Sequence, residues 1–210
     1  MTRNPPRLPI RQALDPARLA SLDARAIGAY NARARNGHRL QAWLGANAFE
    51  GDIDVAPVVL LLGNPGFDAT STPRDHAFAR PGWPLAGLHP EAPEGLRNWW
   101  SARLRQLIEP FGAQHVSQRI ACLQLTPWAS ASFDGGLRLP SRNVILQAAT
   151  RCIERGALLV VMRGEKLWLE AQGLANHGHL HRAKSWRCSY VSLGNLGPQA
   201  WERVRNALAA

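Results

Sequence analysis

The sequence predicts an α/β domain in three layers, helices on both faces of a mainly parallel four-stranded central sheet. Three observations carry the prediction. Short apolar runs bounded by turn residues occur at residues 57–62, 120–125 and 157–162, the second interrupted only by Gln124, and such runs suit strands covered on both faces. Segments of helical periodicity alternate with them, which implies parallel neighbours joined by right-handed crossovers. A chain of 210 residues, 46% hydrophobic and 19% charged, holds one sizeable core and is short for two.

Taken in order, residues 1–14 read as an N-terminal tail and residues 15–210 as one domain. Asp15-Pro16 opens the first helix, since Asp can cap free N–H groups and Pro suits the first helical position. Leu19, Leu22, Ala26, Ile27 and Tyr30 continue it at helical spacing, and Gly37 marks its end. The first strand, residues 57–62, stops at the dense turn signal Gly63-Asn64-Pro65-Gly66. A Pro- and Gly-rich loop over residues 67–93 follows; loops that long in compact domains usually carry function. Leu96, Trp99, Trp100, Leu104, Leu107 and Ile108 mark the apolar face of a helix over 94–108. The second strand, 120–125, is stopped by Thr126-Pro127. Ser141 is placed to cap the next helix, and Gly156 ends it. The third strand is 157–162, followed by a short helix with Leu167, Trp168 and Ala171 on one side. A fourth strand is expected at about residues 188–193, and Pro198 opens the last helix.

Ligands of open parallel sheets bind beyond the carboxyl ends of the strands. In this reading those ends carry Asn64, Gln124 with Thr126, Arg163 and Asn195. The net charge is +10, from 25 Lys and Arg against 15 Asp and Glu, and nearly all of the cations are Arg. Arg pairs two-pronged with phosphate, so the charge points to a nucleic-acid partner; a generally Arg-rich surface is the other account.

Several classes drop out. Cys122, Cys152 and Cys188 form no C-x-x-C pair and are expected to be free thiols in a reducing cytosol. His177-x-His179-x-His181 has no carboxylate or cysteine beside it to complete a metal set, so a solvated or phosphate-facing loop is expected there. The phosphate loop, the dinucleotide fingerprint and the serine elbow are absent. No apolar run approaches membrane-spanning length, and the polar, Pro-rich start has no signal-peptide pattern. The expectation is a cytoplasmic protein needing no metal or cofactor, with a monomer favoured and the oligomeric state left open by the sequence.

The run Val58-Val59-Leu60-Leu61-Leu62-Gly63-Asn64-Pro65-Gly66 resembles the first motif of the mismatch-specific and single-strand-selective uracil-DNA glycosylases, where an apolar strand enters Gly-x-Asn-Pro-Gly. Gly and Asn are adjacent here, one residue closer than in that pattern. Later landmarks follow a similar order over residues 55–205, through Gln124-Leu125-Thr126-Pro127 to Asn195-Leu196-Gly197-Pro198. Gln124 stands where that family usually has Asn, and Leu196-Gly197 where it has Pro-Ser.

The resemblance implies a uracil-DNA-glycosylase-like fold and hydrolysis of the N-glycosidic bond of a flipped base in DNA by a positioned water. A non-catalytic nucleic-acid-binding module of the same fold, or an enzyme acting on nucleosides, are the other readings. Asn64 would hold the water, and Gly63, Pro65 and Gly66 would shape the loop, with N–H groups around Gly66 and Phe67 on a base carbonyl. Gln124, with Thr126 beside it, would read the base edge. Phe67, Phe78 or Trp83 would stack on the base. Asp68 would orient water or cap a turn. Asn195 would bond the departing base and Leu196 wedge into the vacated stack. Thr70, Ser71 and Ser130 would meet phosphates, and Arg163 would either bind phosphate or pair with Glu165 or Glu170.

Overall fold

The computed structural model describes residues 8–67, 70–175, 177–185 and 189–210. Asp68 and Cys188, both singled out above, lie outside them. In chain order the described elements are α1 (Ile10–Ala13), α2 (Pro16–Asn31), β1 (Phe49–Glu50), β2 (Val58–Leu62), α3 (Pro73–His76), α4 (Glu94–Phe111), α5 (Ala113–Arg119), β3 (Ile120–Gln124), α6 (Ser141–Glu154), β4 (Leu158–Val161), α7 (Glu165–Trp168), β5 (Leu180–Arg182), α8 (Leu193–Leu196) and α9 (Pro198–Ala209), with short 3-10 turns between.

The sheet is mixed and five-stranded, in the order β1-β3-β2-β4-β5. β3, β2, β4 and β5 run parallel, and β1 closes the β3 edge antiparallel, Glu50 opposite Cys122. The four-stranded expectation therefore missed an edge strand. Phe49-Glu50 is too short to show a period, and one of its two residues is charged.

Every residue of β2, β3 and β4 is buried, because helices cover both faces. Val59, Leu61, Ala121, Leu123, Leu159 and Val161 pack with Ile10, Leu19, Ile145, Cys152 and Trp168, from α1, α2, α6 and α7. Val58, Leu60, Ile120, Cys122, Leu158 and Val160 pack with Trp100, Leu104, Val116, Val204 and Leu208, from α4, α5 and α9. Alternate residues of each strand thus feed opposite cores, as the two-residue period of a strand requires.

Four boundaries differ from the sequence reading. Residues 10–14 are not tail: Ile10 and Leu14 are buried in the first core, and α1 packs on α6. Asp15 does cap α2, accepting from the Arg18 N–H, but α2 ends at Asn31, before Gly37. Ser141 does not cap α6 with its side chain; buried Asp23 of α2 accepts the Ser141 N–H at 2.9 Å and the Trp128 indole N–H at 2.8 Å. The fourth parallel strand is β5, not residues 188–193, of which Ser189 to Ser192 carry no strand and Leu193 starts α8. β5 reads Leu-His-Arg, a polar edge strand, which hides it from a search for apolar runs. Gly156, at φ 89°, ends α6 as expected. The long loop is not structureless: it holds α3, with a capping box between Thr72 and Asp75, and a 3-10 turn at Ala86–Leu88.

Candidate functional site

The loop after β2 runs beside the loop after β3. The Thr126 N–H donates to the Gly63 carbonyl at 2.8 Å, and Gly66 bridges to Ser130 in parallel register. Asn64 ties the two together. Its Nδ2 donates to the Pro65 carbonyl, the Ser130 carbonyl and Ser130 Oγ at 2.8, 3.2 and 2.9 Å. Those acceptors settle the amide orientation and leave Oδ1 without a hydrogen bond from a described residue.

Asn64 lines a cavity of about 550 Å³ at the carboxyl ends of β2 and β3, within the range of small-ligand sites. Of the residues expected at the site, Asn64, Pro65, Gly66, Phe67, Phe78 and Gln124 line it, as do Thr70 and Ser71. Asn47, Phe49 and Glu50 from around β1, His76 of α3, and Trp99 and Trp100 of α4 complete much of the wall. Among the described lining residues there is no Lys or Arg. Cations stand one layer out, where Arg80 lies 4.7 Å from the Phe78 ring centre and Arg103 lies 4.2 Å from that of Trp99.

Gln124 is 3% exposed. Its Oε1 is buried with no hydrogen-bond partner, and Nε2 has only the weak acceptor Cys122 Sγ at 3.9 Å. Gln124 and Cys122 are two apart on one strand, and Glu50 is the cross-strand partner of Cys122. All three side chains therefore share the sheet face under α4.

Glu50 is the residue that sequence reasoning missed. Burial pushes its carboxyl up to about 7, against the opposing pull of the Trp100 indole N–H, which donates to Oε2 at 2.9 Å. No cation pairs with it among the described ion pairs. Its Oε1 takes no hydrogen bond from a described residue. Burial also raises the Cys122 thiol well above its usual range, helped by the Glu50 charge, so Cys122 is a neutral core side chain and not a nucleophile. Close packing fixes Trp100: a Cβ on Gly87 would fall 2.3 Å from Trp100 Cδ1.

The remaining expected residues lie elsewhere. Gly63 and Thr126 are buried behind the loop. Trp83 packs edge-on to His89 at 5.1 Å and against the second core. Asn195 sits in α8, where Oδ1 accepts the Ser185 N–H at 2.9 Å and Nδ2 donates to the Tyr190 carbonyl at 2.8 Å, so it caps its own loop and does not meet a departing base. Leu196 is 7% exposed within the second core, so it is not a wedge. Arg163 is exposed beyond β4, outside the cavity. The cavity forms on the β1 side because β1 supplies a wall there, and that strand was absent from the sequence reading.

No family model matches the chain, and no curated protein and no solved structure matches it. Among the described residues no three His, Cys, Asp or Glu side chains are grouped to hold a metal, and no helix is long and apolar enough to cross a membrane.

Proposed function

We propose that the cavity receives a nucleobase and that the protein hydrolyses its N-glycosidic bond, as a divergent relative of the uracil-DNA glycosylases acting on a base flipped out of DNA. The observation that carries this reading is Gln124. Gln124 is among the residues that line the cavity, and its buried Oε1 has no hydrogen-bond partner; a buried acceptor left unpaired costs about 1–3 kcal/mol. An imide edge, one carbonyl beside one N–H, would meet both ends of that amide. Phe67 and Phe78 on the same wall give apolar faces for the ring.

Hydrolysis breaks the bond between C1′ and the base nitrogen, with the electron pair leaving on the base, while water oxygen bonds to C1′. Asn64 Oδ1 accepts a hydrogen bond from that water and orients it; an amide is too weak a base to do more. The water proton passes to solvent. Glu50, held partly protonated at neutral pH, supplies the proton that neutralises the departing base, and solvent reprotonates it. It fills the part that Asn195 was expected to play.

One observation favours a second reading, action on free nucleosides: the described lining holds no Lys or Arg, and a basic rim is the mark of a nucleic-acid site. The test is base release from oligonucleotides carrying uracil, hypoxanthine, xanthine or a mismatch, beside the matching nucleosides, with wild type and Asn64→Ala. Release that falls at least about a hundredfold in Asn64→Ala supports the mechanism. Release that survives in the variant removes Asn64 from it, and release from nucleosides alone selects the second reading.

A further inference from the structure

Trp99 lines the cavity, and a cation lies over its ring. Arg103, one turn further along α4, holds its guanidinium carbon 4.2 Å from the Trp99 ring centre and 5.6 Å from that of Tyr190. Its Nη1 donates to the Trp99 carbonyl at 3.2 Å, and its Nε is buried without a partner. Arg163, just past β4, donates from Nε to Ser189 Oγ at 3.0 Å. Ser189 precedes Tyr190, whose neighbour Val191 donates its N–H to the Arg103 carbonyl at 2.9 Å. Two guanidiniums from different elements therefore converge on the segment Ser189-Tyr190.

Among the described ion pairs no carboxylate accompanies them. The described ion pairs engage Arg11, Arg80, Arg105, Arg138, Arg142 and Arg182, and neither Arg103 nor Arg163 is among them. Glu165, the acid nearest Arg163 in sequence, pairs with Arg182. Burial chiefly, and the charge of Arg163 in addition, hold Arg103 below its ordinary range, while Tyr190 acts the other way. Two like charges placed together without a counter-ion favour an anion between them. The planar fork of Arg suits a phosphate oxygen pair. Tyr190, 42% exposed, adds an aromatic face on which a base can stack.

We propose that Arg103 and Arg163 form a seat for a phosphate group, one aromatic wall away from the cavity, and that it holds a backbone phosphate of the strand whose base enters the cavity. The choice of a strand as source rests on the base-directed reading; the seat itself does not.

The experiment is fluorescence anisotropy with a labelled single-stranded DNA oligonucleotide between about 50 and about 200 mM salt. Wild type is compared with Arg163→Gln, an exposed position that leaves the core alone, and with the double variant Arg103→Gln/Arg163→Gln. The expected result is binding about tenfold weaker in the double variant, with the slope of log affinity against log salt shallower by about 0.7, the value for one phosphate on a single strand. Arg163→Gln alone should show part of both changes.

A parallel titration uses a nucleoside 5′-monophosphate and inorganic phosphate. Loss of mononucleotide or phosphate binding in the variants, with an unchanged oligonucleotide slope, keeps the seat and overturns the strand as its source. Unchanged binding of all three probes overturns the proposal. Absent base release by the wild type beside an Arg-dependent slope defeats the glycosylase reading and spares the seat.

Discussion

Replacing Glu50 by Gln should stabilise the protein at high pH and leave it nearly unchanged at low pH. The carboxyl titrates at about 7 in the folded chain, against 4.5 for an ordinary Glu. The folded state therefore holds its proton more tightly than the unfolded state. Below about 4.5 both states are protonated, and the group has no effect on stability. Between 4.5 and 7 the unfolded chain ionises while the folded one resists, so stability falls as pH rises. Above 7 the full penalty is present, about 3 kcal/mol at 1.36 kcal/mol per pH unit. Gln is neutral throughout, and its side-chain carbonyl can still accept the Trp100 N–H. Urea denaturation at pH 5 and pH 8 checks the difference. With a slope of about 2 kcal/mol/M, the Glu50→Gln midpoint should exceed wild type by about 1.5 M at pH 8 and by under about 0.5 M at pH 5. A pH-independent difference, or a variant less stable at pH 8, would refute the claim that burial without a counter-charge governs this carboxyl.

Two other substitutions probe the same site. Gln124→Leu removes the buried, unpartnered Oε1 and should leave stability within about 1 kcal/mol of wild type or raise it. Base binding should be lost in that variant, and isothermal titration with a free base beside thermal melts separates the two effects. Gly87→Ala places a methyl 2.3 Å from Trp100 Cδ1, so it should cost about 1–3 kcal/mol by overpacking. Indole fluorescence should then change, because Trp100 must leave its bond to Glu50; a variant with wild-type melting and fluorescence would show that the contact yields freely.

The alternation of apolar runs and helical faces was enough for the class of fold and for three of the parallel strands. β2, β3 and β4 are buried on both faces, so burial itself writes their signature into consecutive residues. The same logic failed for β5 and β1, which are short, polar edge strands whose pairing is made by backbone groups that carry no sequence mark. It also misjudged residues 10–14, since four residues of helix are too few to show a period.

The site divides along the same line. Asn64, Pro65, Gly66, Phe67 and Gln124 were legible because each sits at or just beyond the carboxyl end of an apolar strand, where the chain itself advertises a turn. Glu50 was not. Its chemistry comes from burial opposite Cys122 and under Trp100, groups 72 and 50 residues away along the chain, and a lone Glu in the sequence has no mark of that. Asn195 and Leu196 looked like site residues by position, yet local hydrogen bonds and the core claim them. By itself the sequence determined which segments must be buried, since the cost of exposing apolar surface is local to each segment. Which polar groups then face one another, and with what proton affinity, only the tertiary structure decided, because desolvation and charge act through space between residues distant along the chain.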